Sequence, residues 1–424
     1  MNKTYYPRLD ETLYSVRLDC GLQVLVIPKK GFTRKKTYFI TDFGAIHTNF
    51  RLDGKEYTVP AGIAHFLEHK LFELPQRDVT AEFAALGASV NAFTSYDMTA
   101  YYFSCTENFY ESLRLLLEFV STPYFPAESV QREMGIIDQE IGMNADNPDT
   151  RVFENLMGAM YRHHNIRVPI LGTKKTIREI TPELLTLCHK AFYAPSNMVL
   201  CVVGDVDEAQ VAQLAGQVLG SEYRPAAEKL LPPAEDMTCP EKKTEQAMEV
   251  AMPNFQLAFK CEPVDRGEAA LRAEIVYDLA AEALFGESSP LYQQMYEDGL
   301  IDSSFGGGAE ILDGCCMLLC GGDSDDPEGV KAAVLAQAKK LCREGLDPEY
   351  FSRMKRSAYG RRIRDLDSFD SLCLRRAIGA FYGDDYYGFP EKFADITQRD
   401  VLKFLDSVVT EQRCSLSVIM PIQK

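Results

Sequence analysis

The sequence predicts an α+β fold of two tandem, homologous halves, each a mostly antiparallel sheet with helices packed on one face. Three observations carry that expectation. First, segments recur at a near-constant offset. Ile180-Thr181 opens a helix-like run through Leu184, Leu185 and Phe192, followed by the strand-like Met198 to Val203; Ile396-Thr397 opens another through Val401, Leu402 and Phe404, followed by Cys414 to Met420. Glu128-Ser129-Val130-Gln131-Arg132 likewise returns as Glu349-Tyr350-Phe351-Ser352-Arg353. The two offsets, 216 and 221 residues, agree closely, as a duplication requires. Second, residues 221–246 are polar, carry four prolines and lack periodicity, so they read as a linker between 1–220 and 247–424. Third, strands and helices mix without the regular βαβ rhythm of a doubly wound sheet.

In chain order, Met1 to Arg8 contains no apolar run that could serve as a signal peptide, and no later apolar stretch is long enough to span a membrane. Gln23 to Ile27, Thr37 to Thr41 and Thr99 to Ser104 are rich in β-branched and aromatic residues and read as strands. Residues 61–74, 78–86, 107–121 and 126–145 read as helices. Cys315, Cys316 and Cys320, alternating with Met317, Leu318 and Leu319, read as buried thiols in a strand. The triglycine Gly306-Gly307-Gly308 lacks the Lys-Ser/Thr of a phosphate loop and reads as a turn, and His163-His164 as structural.

Composition bounds the function. Forty-six per cent apolar and 25% charged residues over 424 positions suit a globular chain with a large core. A net charge of −17 argues against nucleic-acid partners, which need clustered Lys and Arg. It would favour basic peptides if an internal chamber shared it; a solvated acidic surface is the alternative. Twelve cysteines without a Cys-x-x-Cys pair suit a reducing cytoplasm, the expected location.

The chemistry-bearing motif is His65-Phe66-Leu67-Glu68-His69. On a helix, residues four apart share a face, so both imidazoles can reach one metal ion while Glu68 is free to take a proton from water. This His-x-x-Glu-His order is the inverzincin signature. Two histidines leave a catalytic zinc one protein ligand short. Glu133 and Glu140, seven apart beside Ile136 and Ile137, share one face of the 126–145 helix. One could ligate zinc while the other steadies a histidine; a solvated acidic edge, or an ion pair to Arg132, is the other reading of these carboxylates.

These residues, together with Gly87-Ala88-Ser89-Val90-Asn91-Ala92-Phe93-Thr94-Ser95-Tyr96-Asp97 and Tyr193-Ala194-Pro195-Ser196-Asn197-Met198, resemble the pitrilysin and mitochondrial-processing-peptidase group of zinc metallopeptidases, in its shorter bacterial form. The resemblance covers nearly the whole first half. It implies that Glu140 is the third ligand of a single Zn2+, that Glu133 orients a ligand histidine, and that Glu68 is the general base. It also implies that Asn91, Ala92 and Phe93 lie on an edge strand where a peptide adds as a further strand. The implied function is a zinc-dependent endopeptidase acting on peptides or unfolded segments inside a closed chamber. The chain departs from the group's pattern in the second half. The arginine and tyrosine that complete such sites are replaced by Tyr296 and by Asp302 or Ser303, and Arg361 stands where the repeat would place Glu140. Two expectations follow. Either this is the metal-bearing subunit of a dimer, with a related subunit supplying the arginine and tyrosine or with a second copy of itself, or it is a non-catalytic structural or peptide-binding subunit with an idle zinc site.

Overall fold

A computed structural model describes residues 1–422, and the chain divides into two compact units. The first comprises Met1–Ile141, Pro169–Leu231 and Ile363–Tyr387; the second comprises Gly142–Val168, Pro232–Arg362 and Gly388–Lys424.

The first unit is built on a seven-stranded sheet in the order Asn2–Tyr6, Glu11–Arg17, Gln23–Pro28, Met198–Gly204, Lys35–Thr41, Thr99–Cys105, Ser89–Thr94. All neighbours are antiparallel except Met198–Gly204 beside Gln23–Pro28, which run parallel. Alternate residues of a strand face opposite sides of its sheet. Val24, Val26, Phe39, Phe103, Leu200 and Val202 accordingly join one apolar cluster with Phe66 and Leu67, Leu116 and Phe119, and Leu185 and Phe192 from three helices, Ile63–Leu71, Phe109–Ser121 and Pro182–Phe192. Their alternates Tyr38, Ile40, Cys201 and Val203 are buried too. The helix Phe369–Tyr382 covers that second face: Tyr38 donates a hydrogen bond to Asp370 at 2.8 Å and the Cys373 thiol lies 3.6 Å from the Cys201 carbonyl. Burial on both faces is why Met198–Gly204 is apolar almost throughout.

The second unit repeats the plan with five strands, in the order Lys243–Met248, Cys414–Pro421, Asn254–Cys261, Cys315–Asp323, Gly306–Leu312. Again one pair, Lys243–Met248 with Cys414–Pro421, is parallel and the others antiparallel. The duplication read from two short segments therefore extends to strand order and direction. Helix Pro148–Met160 packs on this second sheet through Val152, Leu156, Met157 and Met160, and its Asn155 donates to Gln246 at 2.9 Å.

Pro148–Met160 and Phe369–Tyr382 lie 221 residues apart in sequence, the offset of the repeat. Each packs with the unit built mainly from the other half of the chain, on the far side of 221–246. Full burial of each large apolar side chain contributes about 1.5–3 kcal/mol. A helix burying several of them follows the sheet that needs a cover, not its position in the sequence.

Two local expectations change. The segment 221–246 is not wholly irregular: Glu228–Lys229 pairs with Phe50 and Arg51, and Lys243 begins a strand. Gly306 to Gly308 do not form a turn but open an edge strand. A Cβ at Gly307 would sit 2.5 Å from the Phe285 ring, so the glycine there answers the close approach of the helix Ala269–Phe285 to the sheet. The twelve cysteines are free thiols, all but Cys342 buried, with Cys315, Cys316 and Cys320 in one strand. No helix among the described residues is long and apolar enough to cross a membrane.

Candidate metal centre

The histidine helix, Ile63–Leu71, is buried almost all round; His69 alone is partly open. It is shorter than 61–74. Gly62 precedes it in the left-handed conformation (φ 91°), and the chain leaves it into the short strand Glu73–Leu74. A Cβ on Gly62 would lie 2.4 Å from the Leu171 carbonyl oxygen, so both backbone angle and space demand glycine. Gly62→Ala is expected to destabilise the protein by about 1–3 kcal/mol or more, read as a lower urea midpoint at unchanged slope.

His65 and His69 lie one turn apart on the helix, with ring centroids 4.5 Å apart and ring planes tilted by 57°. The glutamate helix, Ala127–Ala145, crosses them and brings Glu140 to both: Oε1 is 3.7 Å from His65 Nε2 and Oε2 is 3.8 Å from His69 Nε2. These are too long for hydrogen bonds and suit groups facing a common point. Two ligands each ~2.0–2.1 Å from a tetrahedral ion lie about 3.3 Å apart, so slight closure would complete the shell. One ligand atom from each residue falls within 4.8 Å of the others, and among the described residues this is the one such cluster of three or more His, Cys, Asp or Glu. Burial, and secondarily the neighbouring His69, push His65 down to about 3. It is therefore a neutral imidazole across the physiological range, the form a metal needs. The donor set fits zinc, and nitrogen with carboxylate oxygen also accepts manganese or cobalt.

Glu133, one helical turn before Ile137 and two before Glu140, approaches the far nitrogen of the second histidine, with 2.9 Å between its Oε1 and His69 Nδ1. Burial works against a charged His69, but the Glu133 hydrogen bond and charge outweigh it and hold its pKa above the ordinary value. The same bond fixes the ring so that Nε2 faces Glu140. Glu68 is 8% exposed, and burial raises its pKa against the opposing pull of a 2.6 Å hydrogen bond donated by Thr94 Oγ1. A carboxylate so placed binds a proton more readily than an exposed one, as a general base requires.

Thr94 ends the strand Ser89–Thr94, which among the described residues pairs on one side only, with Thr99–Cys105. Asn91 lies opposite Tyr102, Ala92 opposite Tyr101 and Phe93 opposite Ala100. Ala92 packs toward the helices, while Phe93 lies on the other face with its ring 6.2 Å from Tyr102. Asn91 is exposed, and its Oδ1 accepts from the Ala92 amide at 2.8 Å. The open edge thus ends at the residue that touches Glu68.

The structure brings together His65, Glu68, His69, Glu133 and Glu140, and sets Asn91, Ala92 and Phe93 on the adjoining edge. Sequence reasoning missed the role of Thr94 and the group Lys70, Glu73 and Ser129 behind His69. A lysine directly after the pentad, on a helix otherwise buried, was the available signal. In the second unit, Tyr296 is exposed and stacks on Tyr292 at 6.1 Å, and Asp302 accepts from the Ser304 amide and hydroxyl. Neither is a cation. Arg361 bonds Glu282 at 2.7 Å, an ion pair in place of a ligand set.

Residues 55–174 match the family model described as insulinase, peptidase family M16, and residues 179–358 match that of the peptidase M16 inactive domain. The chain is 36% identical over 423 residues to an uncharacterised zinc protease of Bacillus subtilis, YmfH, covering 98% of each. A putative M16-like peptidase from Alicyclobacillus acidocaldarius superposes with a TM-score of 0.93 at 31% identity, over 98% of this chain and 99% of that one. A protease from Helicobacter pylori shares the fold, with a TM-score of 0.82 at 20% identity over 96% of this chain and 99% of the other.

Proposed function

The chain belongs to peptidase family M16, and from that premise we propose that it is a zinc-dependent endopeptidase for peptides or unfolded segments, acting as the metal-bearing subunit of a shared, enclosed site. The observation that carries this is the convergence of His65, His69 and Glu140 beside Glu68 and an unpaired strand edge.

His65, His69 and Glu140 would hold one zinc per chain, with Glu133 fixing the His69 ring. When bound, zinc supplies a Lewis acid that polarises the scissile carbonyl and acidifies water. The strand Ser89–Thr94 offers its free backbone groups to an extended peptide, so recognition runs through main-chain hydrogen bonds that a folded protein cannot offer. Asn91, Ala92 and Phe93 set the peptide's register past Glu68. Glu68 takes the proton of the attacking water and returns it to the leaving amine, and Thr94 keeps its carboxylate aimed. The net charge of −17 supports a preference for basic peptides. Twelve cysteines with no disulfide among them support a reducing, cytoplasmic setting.

Hydrolysis also builds negative charge on the carbonyl oxygen, and losing a donor to that charge costs about 2.7–4 kcal/mol of barrier. Tyr296 and Asp302 supply no cation. A related subunit bearing an arginine and a tyrosine is therefore the favoured partner; a second copy of this chain would bring the same Tyr296 and Asp302. The same deficit supports the second reading, a peptide-binding subunit with an idle site. Mixing the zinc-loaded chain with a related subunit that carries the pair and lacks His-x-x-Glu-His decides among these. Cleavage of a peptide library by the mixture, about 10²–10³ faster than by this chain alone, is the expected result. Full activity of this chain alone would remove the need for a partner, and inactivity of every mixture would favour the idle site.

A further inference from the structure

We propose that Lys70, Glu73 and Ser129 form a clamp that sets the register of the glutamate helix on the histidine helix, making Lys70 and Ser129 positioning residues of the metal centre. The inference rests on the metal-bearing reading above.

Lys70 directly follows His69 and is fully buried. A cation that deep needs a matching charge and partners for its donors. Its Nζ donates to Glu73 Oε2 and to Ser129 Oγ, and Ser129, 2% exposed, donates to the same Glu73 oxygen. Arg132, next on the glutamate helix, lies 3.6 Å from the other Glu73 oxygen. The triangle joins the end of one helix to the first turn of the other.

Its position along the glutamate helix matters. Glu133 follows Ser129 by four residues and Glu140 by eleven, about one and three turns at 3.6 residues per turn, so all three share a face. Val130 and Ile137 hold this helix on the core, but apolar contact is non-directional and tolerates small slides. Hydrogen bonds to a buried ammonium do not. A slide of about 1.5 Å along the helix axis, the rise of one residue, would leave the apolar face on the core and still carry both carboxylates off the imidazoles. The clamp thus supplies the directional term that apolar packing lacks.

The test uses the full chain, with zinc affinity from chelator competition, the Co2+ absorption spectrum, and melting of the metal-free protein. Ser129→Ala should fold, melt within a few degrees of the parent without metal, bind zinc about 10–100-fold more weakly, and show an altered Co2+ spectrum. Glu73→Gln should weaken zinc binding and alter the Co2+ spectrum likewise, with a lower metal-free melt because it leaves the buried Lys70 charge uncompensated, and the double variant should bind zinc no more weakly than Glu73→Gln. Lys70→Met serves as a third probe; if it does not fold, Ser129→Ala decides. Parental zinc affinity in folded Ser129→Ala and Glu73→Gln would overturn the clamp and leave the metal-bearing reading intact. A folded parent that takes up no metal would overturn both.

Discussion

Glu68→Gln should abolish most peptide hydrolysis by the complete enzyme while leaving its metal in place. A positioned general base contributes about 10²–10⁴ in rate, and the amide cannot accept the water proton. The substitution is nearly isosteric, and its carbonyl oxygen can still accept the 2.6 Å bond from Thr94. The helix, 8% exposed at this residue, should therefore keep its packing. The measurement is kcat/KM on a fluorogenic peptide together with zinc content: a loss of 10²–10⁴ at one zinc per chain is expected. Undiminished turnover would sink Glu68 as the base.

The second large effect concerns the metal itself. His65→Ala and Glu140→Ala should each take the dialysed protein from one zinc per chain to well below one. Each removes one of three protein ligands, a larger loss than the about 10–100-fold that an outer partner such as Glu133 is worth. The same variants should lose zinc-dependent stabilisation. A ligand present at 100 times its dissociation constant adds about 2.7 kcal/mol to the folded state, so chelation should lower the parent's melting temperature and leave that of either variant unmoved. Metal analysis and paired melts with and without chelator read this directly. Retention of stoichiometric zinc in both variants would show that the cluster at His65, His69 and Glu140 is not where the metal binds.

Much of this candidate site is legible in the sequence, for identifiable reasons. His65 and His69 are four apart on one helix, so local geometry alone sets their rings on one face. Glu133 and Glu140 could be named as a pair by their seven-residue spacing, but not told apart from geometry. That distinction depends on where a second helix crosses the first, and it emerges as 2.9 Å from Glu133 to His69 Nδ1 against 3.7 and 3.8 Å from Glu140 to the two Nε2 atoms. Thr94 was visible only as one residue of a strand, because its bond to Glu68 spans 26 positions. The triglycine misled because a turn and a tightly packed edge strand both call for glycine; only Phe285, distant in sequence, separates them.

The sequence by itself determined the repeated α+β plan, and it placed the His-x-x-Glu-His pentad and the Glu133–Glu140 pair each on one face of a helix. All are local: periods of two and four, short motifs, and recurrence at one offset. Tertiary structure alone decided which glutamate faces which histidine, that Lys70 is buried as a brace, and that helices Pro148–Met160 and Phe369–Tyr382 cover the sheets of the opposite halves. Those outcomes depend on contacts between residues tens to hundreds of positions apart. There, hydrophobic burial selects whichever partner covers the exposed face, and no pattern within a single segment records the choice.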